Sequence, residues 1–339
     1  MLIAMYCNRK DPQKVSRAYF YAAVAKMEGI PFYYFNSRDV DFQKQTINGQ
    51  YYENGMWHRK EFSFPDCIIN ISGPITKKQR EVYNRLHQMI PFTSHPVGTK
   101  LSVYNKVLKN KEFSDYIISY KKVKKPLDVL KFINEHKKVI VKPLSGNHGK
   151  HVIFIEEMEQ KYNIIENDIS LMLTKIELFS YLSDLLEDGK WLMQKYINCR
   201  RKTGEPYDIR LHLQKDGKGE WQNTYIYPKV GSINKITTNL GQGGLITLID
   251  KFLATEFGDE GYDLYSYLNV FGKQFAKYFD TLYPYSFDEL GIDIGLDESN
   301  KIWIYEVNWR PGHAFIEANT AKYAIQYAKY LANKEGENK

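Results

Sequence analysis

Residues 291–312, GIDIGLDESNKIWIYEVNWRPG, constrain the fold strongly because two apolar β-type runs flank a turn signal at 297–300. This pattern predicts an antiparallel hairpin. Side chains alternate between the two faces of a strand, so the second run is expected to place four residues on one face. These residues are Ile302, Ile304, Glu306 and Asn308. Two polar side chains in so apolar a run indicate a site.

The register of the hairpin decides whether its carboxylates meet. If Leu296 pairs with Lys301, Asp293 faces Ile304 and lies one diagonal step from Glu306. A slip of one residue would turn Asp293 to the other face. The oxygen ligands brought together would be those of Asp293, Glu306 and Asn308. Such ligands suit Mg²⁺, completed by water and substrate phosphate. The alternative is a solvent-exposed polar strand face, and we favour the metal.

Residues 205–217, EPYDIRLHLQKDG, predict a second strand with two distinct faces. The polar face carries Asp208, Arg210 and His212, and the core face carries Ile209, Leu211 and Leu213. Arg210 can form a plain ion pair with Asp208. Facing a phosphate, it would instead stabilise the charge that develops in phosphoryl transfer. The run TTNLGQGG at 237–244 either approaches a substrate or turns the chain.

A glycine-bearing loop at 145–150, SGNHGK, lies between the apolar runs VIVKP and VIFIEE. A Walker loop requires GK[ST] followed by a helix, whereas Lys150 precedes His151 and a β-type run, so that motif is excluded. Backbone N–H groups of a glycine loop can still surround phosphate oxygens. Taken alone, a plain hairpin turn with Lys142 at the surface is the simpler interpretation.

The N-terminal residues predict a β-α-β unit and therefore a parallel sheet. Asn48-Gly49 and Asn54-Gly55 indicate two tight turns. The stretch at 91–96 begins and ends with proline and is interpreted as a domain boundary. Predicted helices and mixed strands follow it. We therefore expect an α/β domain at 1–97 and two α+β subdomains at 98–192 and 193–339.

Composition limits the function classes. With 339 residues, 43% of them apolar, the chain is expected to form two or three domains. The separated cysteines, Cys7, Cys67 and Cys199, form no metal-ligand spacing. No secretory leader, membrane span or nucleic-acid module is expected. A cytoplasmic protein is the simplest interpretation.

Together these motifs resemble the ATP-grasp superfamily, from about Thr99 to the end of the chain. The order D-I-R, N-x-x-x-G-G and E-V-N-x-x-P-G is similar to the ribosomal-protein glutamate ligase and D-alanine ligase branches. The hairpin with Gly55, Trp57 and His58 and the run PVGTKLSVYNKVLKN most resemble the YheC/YheD-type endospore coat-associated proteins. The resemblance implies an ATP-grasp fold, with two α+β subdomains that grip ATP and a preceding α/β domain.

The resemblance also implies roles for residues. Lys106 and Lys142 match the lysines that hold ATP phosphates, and Gly146, Asn147 and Gly149 match the lid loop, so that loop is identified with phosphate binding. Nucleotide contacts are further implied for Gln194, Lys195, Ile197 and Asp208, the first three in the adenine-binding hinge. Arg210 matches the arginine near the γ-phosphate, Asp293, Glu306 and Asn308 match the Mg²⁺ ligands, and Asn239 lies near them. Arg310 stands where many relatives have a small hydroxyl residue, and pairing with a substrate carboxylate is one role open to it.

The implied reaction is ATP- and Mg²⁺-dependent ligation of a carboxylate to an amine through an acyl phosphate, with Mn²⁺ as an alternative ion. The carboxylate belongs to an amino acid, peptide or protein, with spore-coat proteins among the candidate partners. Two alternatives stay open: a phosphotransferase with the same fold, and a nucleotide-binding coat protein without turnover.

Overall fold

The computed structural model describes residues 1–109, 111–144, 151–166, 169–187, 190–238, 243–312 and 315–337. Three β-sheets with helices on their faces make up this part of the chain. The strands are β1 (Ile3–Tyr6), β2 (Phe32–Phe35), β3 (Val40–Asp41), β4 (Thr46–Glu53), β5 (Met56–Ser63), β6 (Cys67–Asn70), β7 (Tyr120–Val123), β8 (Lys138–Pro143), β9 (Ile153–Glu157), β10 (Tyr162–Glu166), β11 (Ile169–Leu173), β12 (Trp191–Lys195), β13 (Tyr207–Lys215), β14 (Trp221–Val230), β15 (Leu245–Ile246), β16 (Glu289–Leu296) and β17 (Ile302–Asn308). The helices are α1 (Ser16–Met27), α2 (Lys77–His87), α3 (Lys100–Lys109), α4 (Pro126–His136), α5 (Lys175–Leu185), α6 (Ile249–Phe257), α7 (Gly261–Thr281) and α8 (Glu317–Glu337).

The first sheet has the order β3-β4-β2-β1-β6, with β5 paired to β4. Strand β1 is parallel to both β2 and β6, which confirms the predicted β-α-β unit. Helix α1 ends just before Gly29, whose φ of +68° is accessible to glycine at little cost. Helix α2 begins with a capping box in which Thr76 and Gln79 satisfy each other's backbone N–H groups.

Only one of the two Asn-Gly predictions is confirmed. Asn54-Gly55 forms the turn between β4 and β5, as expected. The prediction of a turn at Asn48-Gly49 is wrong, since both residues lie within β4. A Cβ atom on Gly49 would collide with the ring of Tyr33, so glycine is required there by close packing against an aromatic side chain.

The second sheet has the order β11-β10-β9-β8-β12-β7, and its neighbouring strands are antiparallel. Helices α4 and α5 pack on it around Val129, Ile133 and Leu178. The next element after residues 145–150 is strand β9 and not a helix, in agreement with the exclusion of a Walker motif. Lys142 on β8 is the cross-strand partner of Leu192 on β12.

The third sheet has the order β15-β14-β13-β16-β17 and is antiparallel. One face packs against α7 through residues such as Leu268 and Phe275, in the same core cluster as Leu211 and Ile292. The other face carries the polar residues of the candidate site.

Helix α8 returns to the first sheet. Ala324, Ile325 and Ala328 share a core cluster with Ile3 of β1 and Ala18 of α1. The last helix of the 193–339 unit thus completes the core of the N-terminal sheet, and the three domain boundaries stay a prediction. Within the described ranges, no helix is long and apolar enough to cross a membrane.

Candidate active site

The polar face of the third sheet follows from the alternation of β13. Ile209, Leu211 and Leu213 are fully buried in the core cluster, as predicted. Asp208 and Arg210 therefore lie on the opposite face. Arg210 pairs with Asp293 on β16, and Asp208 pairs with Lys229 on β14. Charged residues from three adjacent strands thus meet on one surface.

Asp293 accepts four hydrogen bonds from three residues. Arg210 Nε and Nη2 donate to its two carboxylate oxygens at 2.7 and 2.9 Å, a bidentate pair. Lys229 Nζ donates to Oδ1 at 2.9 Å, and Asn308 Nδ2 donates to Oδ2 at 3.2 Å. Burial disfavours the carboxylate anion, but Arg210 and Lys229 outweigh it and hold the pKa of Asp293 below its ordinary value. The side chain is therefore ionised at neutral pH.

Asp208 is paired with Lys229. Lys229 Nζ lies 2.8 Å from Asp208 Oδ1, and the Thr238 hydroxyl donates to Oδ2. Burial raises the pKa of Asp208, while Lys229 opposes the rise. Lys229 thus bridges two carboxylates, and the sequence analysis did not identify it. Its partners are far away in the chain, so only strand order reveals it.

A β-bulge corrects the predicted register of the hairpin. Leu296 pairs with Ile302, not Lys301, and an irregularity between Asp293 and Ile294 places Asp293 directly opposite Glu306. Tyr305 is the extra residue on β17. The predicted pairs Leu296–Lys301 and Asp293–Ile304 are therefore wrong. The two carboxylates are nevertheless cross-strand neighbours, one step closer than predicted.

The bulge also changes the faces of β17. Ile302, Ile304 and Val307 are all buried in the core cluster. The prediction that Glu306 shares a face with Ile304 is therefore wrong, because the extra residue reverses the alternation after position 305. This reversal turns Glu306 and Asn308 toward the polar face that carries Asp293.

Glu306 lies beside lysines from two other elements. Lys100, at the start of α3, has its Nζ 3.2 Å from Glu306 Oε1. The pKa of Lys142 is lowered to about 8, chiefly by burial; Glu306 opposes this effect and Lys100 adds to it. The second sheet and α3 therefore deliver two ammonium groups to the edge of the carboxylate cluster.

The structure does not bring Lys106 to this cluster. Its Nζ donates to the Leu282 carbonyl at 3.1 Å and lies 4.5 Å from the centroid of the Tyr283 ring. Lys100 lies about two helical turns before Lys106 in the same segment. The sequence analysis missed Lys100 because the family resemblance pointed to Lys106, and the placement of α3 against β17 is not specified by the sequence of the helix.

The residues expected to form the adenine hinge lie at the end of β12, next to the strand of Lys142. Gln194 and Ile197 are buried, whereas Lys195 is exposed. No described residue accepts a hydrogen bond from the buried Nε2 of Gln194. Gly146, Asn147, Gly149 and Asn239 lie outside the described residues.

Aromatic side chains border the cluster on β14. Tyr227 is the cross-strand partner of Arg210. The Phe315 ring packs 5.4 Å from the ring of Tyr227 and 5.7 Å from that of Tyr225. Phe315 remains 54% exposed, so this aromatic surface is accessible to solvent. The sequence analysis did not identify it.

Arg310 lies two residues beyond Asn308, near the N-terminal sheet. Its Cζ is 3.8 Å from the centroid of the Trp309 ring. Burial lowers the pKa of Arg310, an effect that the nearby Tyr83 opposes. The structure therefore places the Arg310 side chain next to Tyr83 and Gly73, close in the chain to Asn308.

The ligand set fits Mg²⁺ better than a transition metal. The described ranges contain no group of three or more His, Cys, Asp and Glu side chains able to hold a metal. Asp293, Glu306 and Asn308 instead offer two carboxylates and one amide oxygen on adjacent strands. Mg²⁺ typically takes one or two carboxylates and completes its shell with water and phosphate oxygens.

Comparison with solved structures identifies the fold class. PsnB, an ATP-grasp ligase solved with a phosphomimetic variant of its minimal precursor, Mg and ADP, matches with a TM-score of 0.56 and 12% identity over 98% of each chain. The D-alanine-D-alanine ligase of Coxiella burnetii matches with a TM-score of 0.52 and 12% identity, covering 100% of this chain and 97% of that one. The mixed α/β and α+β architecture is thus an ATP-grasp fold, as predicted.

The chain belongs to the YheC/D-like ATP-grasp family, whose model matches residues 89–331. It is 22% identical to the endospore coat-associated protein YheD of Bacillus subtilis (strain 168), over 88% of this chain and 70% of YheD. It is 23% identical to YheC of the same organism, over 85% of this chain and 82% of YheC. The predicted resemblance to this family is confirmed.

Proposed function

We propose that the protein is an ATP- and Mg²⁺-dependent ligase that joins a carboxylate to an amine. One observation carries this proposal: Asp293, Glu306 and Asn308 lie on adjacent strands beside the Arg210 guanidinium, with Lys100 and Lys142 at the edge. Such an arrangement offers oxygen ligands for the metal and cations for a polyphosphate. Several solved structures of the same fold are ligases, which supports the assignment.

In the proposed reaction, a substrate carboxylate oxygen attacks the γ-phosphorus of ATP, and ADP leaves. An amine then attacks the acyl carbon, phosphate leaves with the carboxyl oxygen, and the amine gives up a proton. Bound Mg²⁺ supplies neutralisation of the phosphate charge. The contribution of the protein is positioning and electrostatic stabilisation.

We assign phosphate binding to Lys142 and to Lys100, in place of the expected Lys106. The lowered pKa of Lys142, about 8, reflects a buried ammonium that a phosphate would stabilise. Arg210 holds Asp293 with Nε and Nη2, so its remaining nitrogen, Nη1, is outside that pair and can face the transferred phosphoryl group. Gln194 and the backbone at 195–197 are proposed to bind the adenine.

The carboxylate and amine are proposed to come from amino acids, peptides or proteins. PsnB was solved with a precursor peptide, and the Coxiella enzyme is named a D-alanine-D-alanine ligase, so both neighbours point to amino-acid or peptide substrates. YheC and YheD are named as endospore coat-associated. A coat protein is accordingly one proposed substrate, and association with the coat is one proposed location.

Two other functions make different predictions. A phosphotransferase would give ADP and a stable phosphorylated product without any need for an amine. A coat protein without turnover would release no ADP, whether or not it binds nucleotide. The charged set around Asp293 favours catalysis over the structural role, because burying four charged groups is costly without a function.

The decisive experiment combines nucleotide binding with product analysis. Calorimetry with ATP should show binding that depends on Mg²⁺. Mass spectrometry of reactions with amino acids, short peptides and coat extracts should then show ADP, phosphate and an amide. ADP with a phosphorylated product and no amide would favour the phosphotransferase, and absence of nucleotide binding would refute both enzymes.

A further inference from the structure

The guanidinium of Arg310 has one unused edge. Its Nε and Nη2 atoms are both buried, and none of the described residues accepts a hydrogen bond from either. These two nitrogens form the side of the guanidinium that binds a carboxylate in a bidentate manner. Burying two such charged donors without acceptors is unfavourable, so the site is built for an acceptor that the chain itself does not provide.

Arg210 shows what this edge does when it has a partner. There the same atoms, Nε and Nη2, contact the two oxygens of Asp293 at 2.7 and 2.9 Å. The two arginines are close in the fold, because a Cβ atom on Gly291 would lie 2.8 Å from Arg210 Nη1 and 2.6 Å from Pro311 Cβ. The chain therefore passes close to the proposed phosphoryl-transfer site at Pro311, the residue that follows Arg310.

The backbone and neighbours hold Arg310 in place. Its φ of +136° is strained for a residue with a side chain, and such strain is retained where the surroundings impose it. The Trp309 ring stacks on the guanidinium. On the N-terminal side, Gly73 leaves room for the side chain, since a Cβ there would lie 3.3 Å from Arg310 Nη1.

The charged groups that interact with Arg310 are a second arginine, Arg17, and one carboxylate, Asp288. Arg17 of α1 adds a second guanidinium, whose Nη2 donates to the Pro311 carbonyl at 2.8 Å. Asp288 is the carboxylate that interacts electrostatically with Arg310, but its Oδ1 already accepts from Ser94 Oγ at 2.8 Å. Two arginines on the seam between the N-terminal domain and β17 thus favour an anion.

We propose that the Nε/Nη2 edge of Arg310 binds a substrate carboxylate that is not consumed in the reaction. This inference rests on the proposed ligase function and names its substrate class. At least one of the two molecules that are joined therefore carries a carboxylate that is not activated by ATP. Amino acids, peptides with a free C-terminus and dicarboxylic acids meet this requirement. The bidentate geometry favours planar carboxylate over a spherical anion.

Ligand-induced thermal stabilisation tests this assignment without turnover. The carboxylate ligands, at millimolar concentration, are glycine, L-alanine, L-glutamate and L-alanyl-L-alanine. Their amide counterparts are glycinamide, L-alaninamide and the dipeptide amide. Each compound is measured with and without Mg²⁺ and ADP. At least one carboxylate should raise the melting temperature of the parent, and its amide should not. Arg310→Gln should bind that carboxylate about tenfold or more weakly, as expected for loss of a charge-assisted pair.

Arg310→Lys keeps the positive charge but removes the planar pair of donors, so this variant should also lose the preference for carboxylate over amide. It replaces Arg310→Gln in the experiment if Arg310→Gln does not fold. Arg59→Gln, which removes an exposed arginine paired with Asp39 at 3.1 Å, is the matched control and should behave as the parent does. MgATP affinity should be unchanged in all three variants.

Four results would overturn the assignment: no carboxylate stabilises the parent, the amides stabilise it equally, Arg310→Gln responds as the parent does, or inorganic phosphate competes better than every carboxylate. Failure of the proposed function looks different. In that case MgATP does not bind the parent, whereas the carboxylate response remains and still depends on Arg310.

Discussion

Arg210 and Asp293 are cross-strand neighbours on β13 and β16 and form a bidentate pair at 2.7 and 2.9 Å. Both side chains are only 11% exposed. Lys229 joins the same carboxylate and also pairs with Asp208, so Asp293 is shared by two cations. This pair is therefore expected to stabilise the fold as well as to take part in the proposed chemistry. Glu306, in contrast, is expected to matter for the chemistry alone.

Substitution of the two carboxylates should give different results. Asp293→Asn leaves Arg210 and Lys229 buried without their shared anion and should lower the free energy of unfolding by about 3–5 kcal/mol. Glu306→Gln should change it by only about 0–1 kcal/mol, because Glu306 is 31% exposed and its pair with Lys100 is screened by solvent. Both should abolish turnover. Urea unfolding and ADP release measure the two effects, and a Glu306→Gln protein with parental turnover would remove Glu306 from the metal site.

Arg210→Lys should separate binding from catalysis. A lysine keeps one positive charge near Asp293 but loses the planar fork and Nη1. We expect ATP affinity within a few-fold of the parent and a rate of phosphoryl transfer about a hundredfold lower, because the arginine acts on charge that develops in the transition state. Rapid-quench measurement of ADP formation beside calorimetry tests this. Equal losses in affinity and rate would instead indicate a ground-state role.

Lys142 and Lys106 form a matched pair for nucleotide binding. Lys142→Ala removes an ammonium next to Glu306 and Lys100 and should weaken ATP binding about tenfold or more. Lys106→Ala removes a lysine that contacts Leu282 and Tyr283, and ATP affinity should be unaffected. Calorimetry with Mg²⁺ and ATP on both variants decides between them. The reverse outcome would restore the role that the sequence motif gave to Lys106.

The raised pKa of Asp288 predicts that the stability of the fold depends on pH. Burial, and then Glu289, raise this pKa from 3.8 to about 6. The folded state therefore binds the carboxyl proton of Asp288 more tightly than the unfolded state does. The free energy of unfolding consequently falls as the pH rises from 3.8 to about 6 and stays at this lower value above pH 6. Asp288→Asn should be more stable than the parent by about 1–3 kcal/mol near pH 7. The difference should shrink as the pH falls from about 6 and should vanish only below about pH 4, where Asp288 becomes protonated in the unfolded state as well.

Asn at position 288 can still accept the hydrogen bond from Ser94, so packing is preserved. Urea midpoints for both proteins at several pH values between about 5 and 7 measure the difference. A difference that does not vary with pH would assign the effect to something other than ionisation of Asp288.

Periodicity predicted much of the architecture. The β-α-β unit, the two faces of β13 and the hairpin of β16 and β17 all follow from alternation of apolar residues along short segments. These features are local, so neighbouring residues contain the information. The family motifs added the ATP-grasp fold, which the structural comparison confirms.

The register of the hairpin was not accessible from strict alternation, because Tyr305 adds one residue to β17. A signal was present in the sequence: Ile304 and Val307 are three residues apart, although an unbroken strand would place buried residues two apart. Lys229 and Lys100 were missed for another reason. They reach the site through strand order and helix placement, which a single sequence does not specify.

Helix α8 has a consequence for how the chain folds during synthesis. Ala324, Ile325 and Ala328 belong to the core of the first sheet, together with Ile3 and Ala18. The N-terminal strands leave the ribosome first, but they cannot complete their core until the last helix follows. The chain must therefore carry an unfinished apolar surface while the segments between α1 and α8 are synthesised, and emergence of α8 from the ribosome is the event that closes this core.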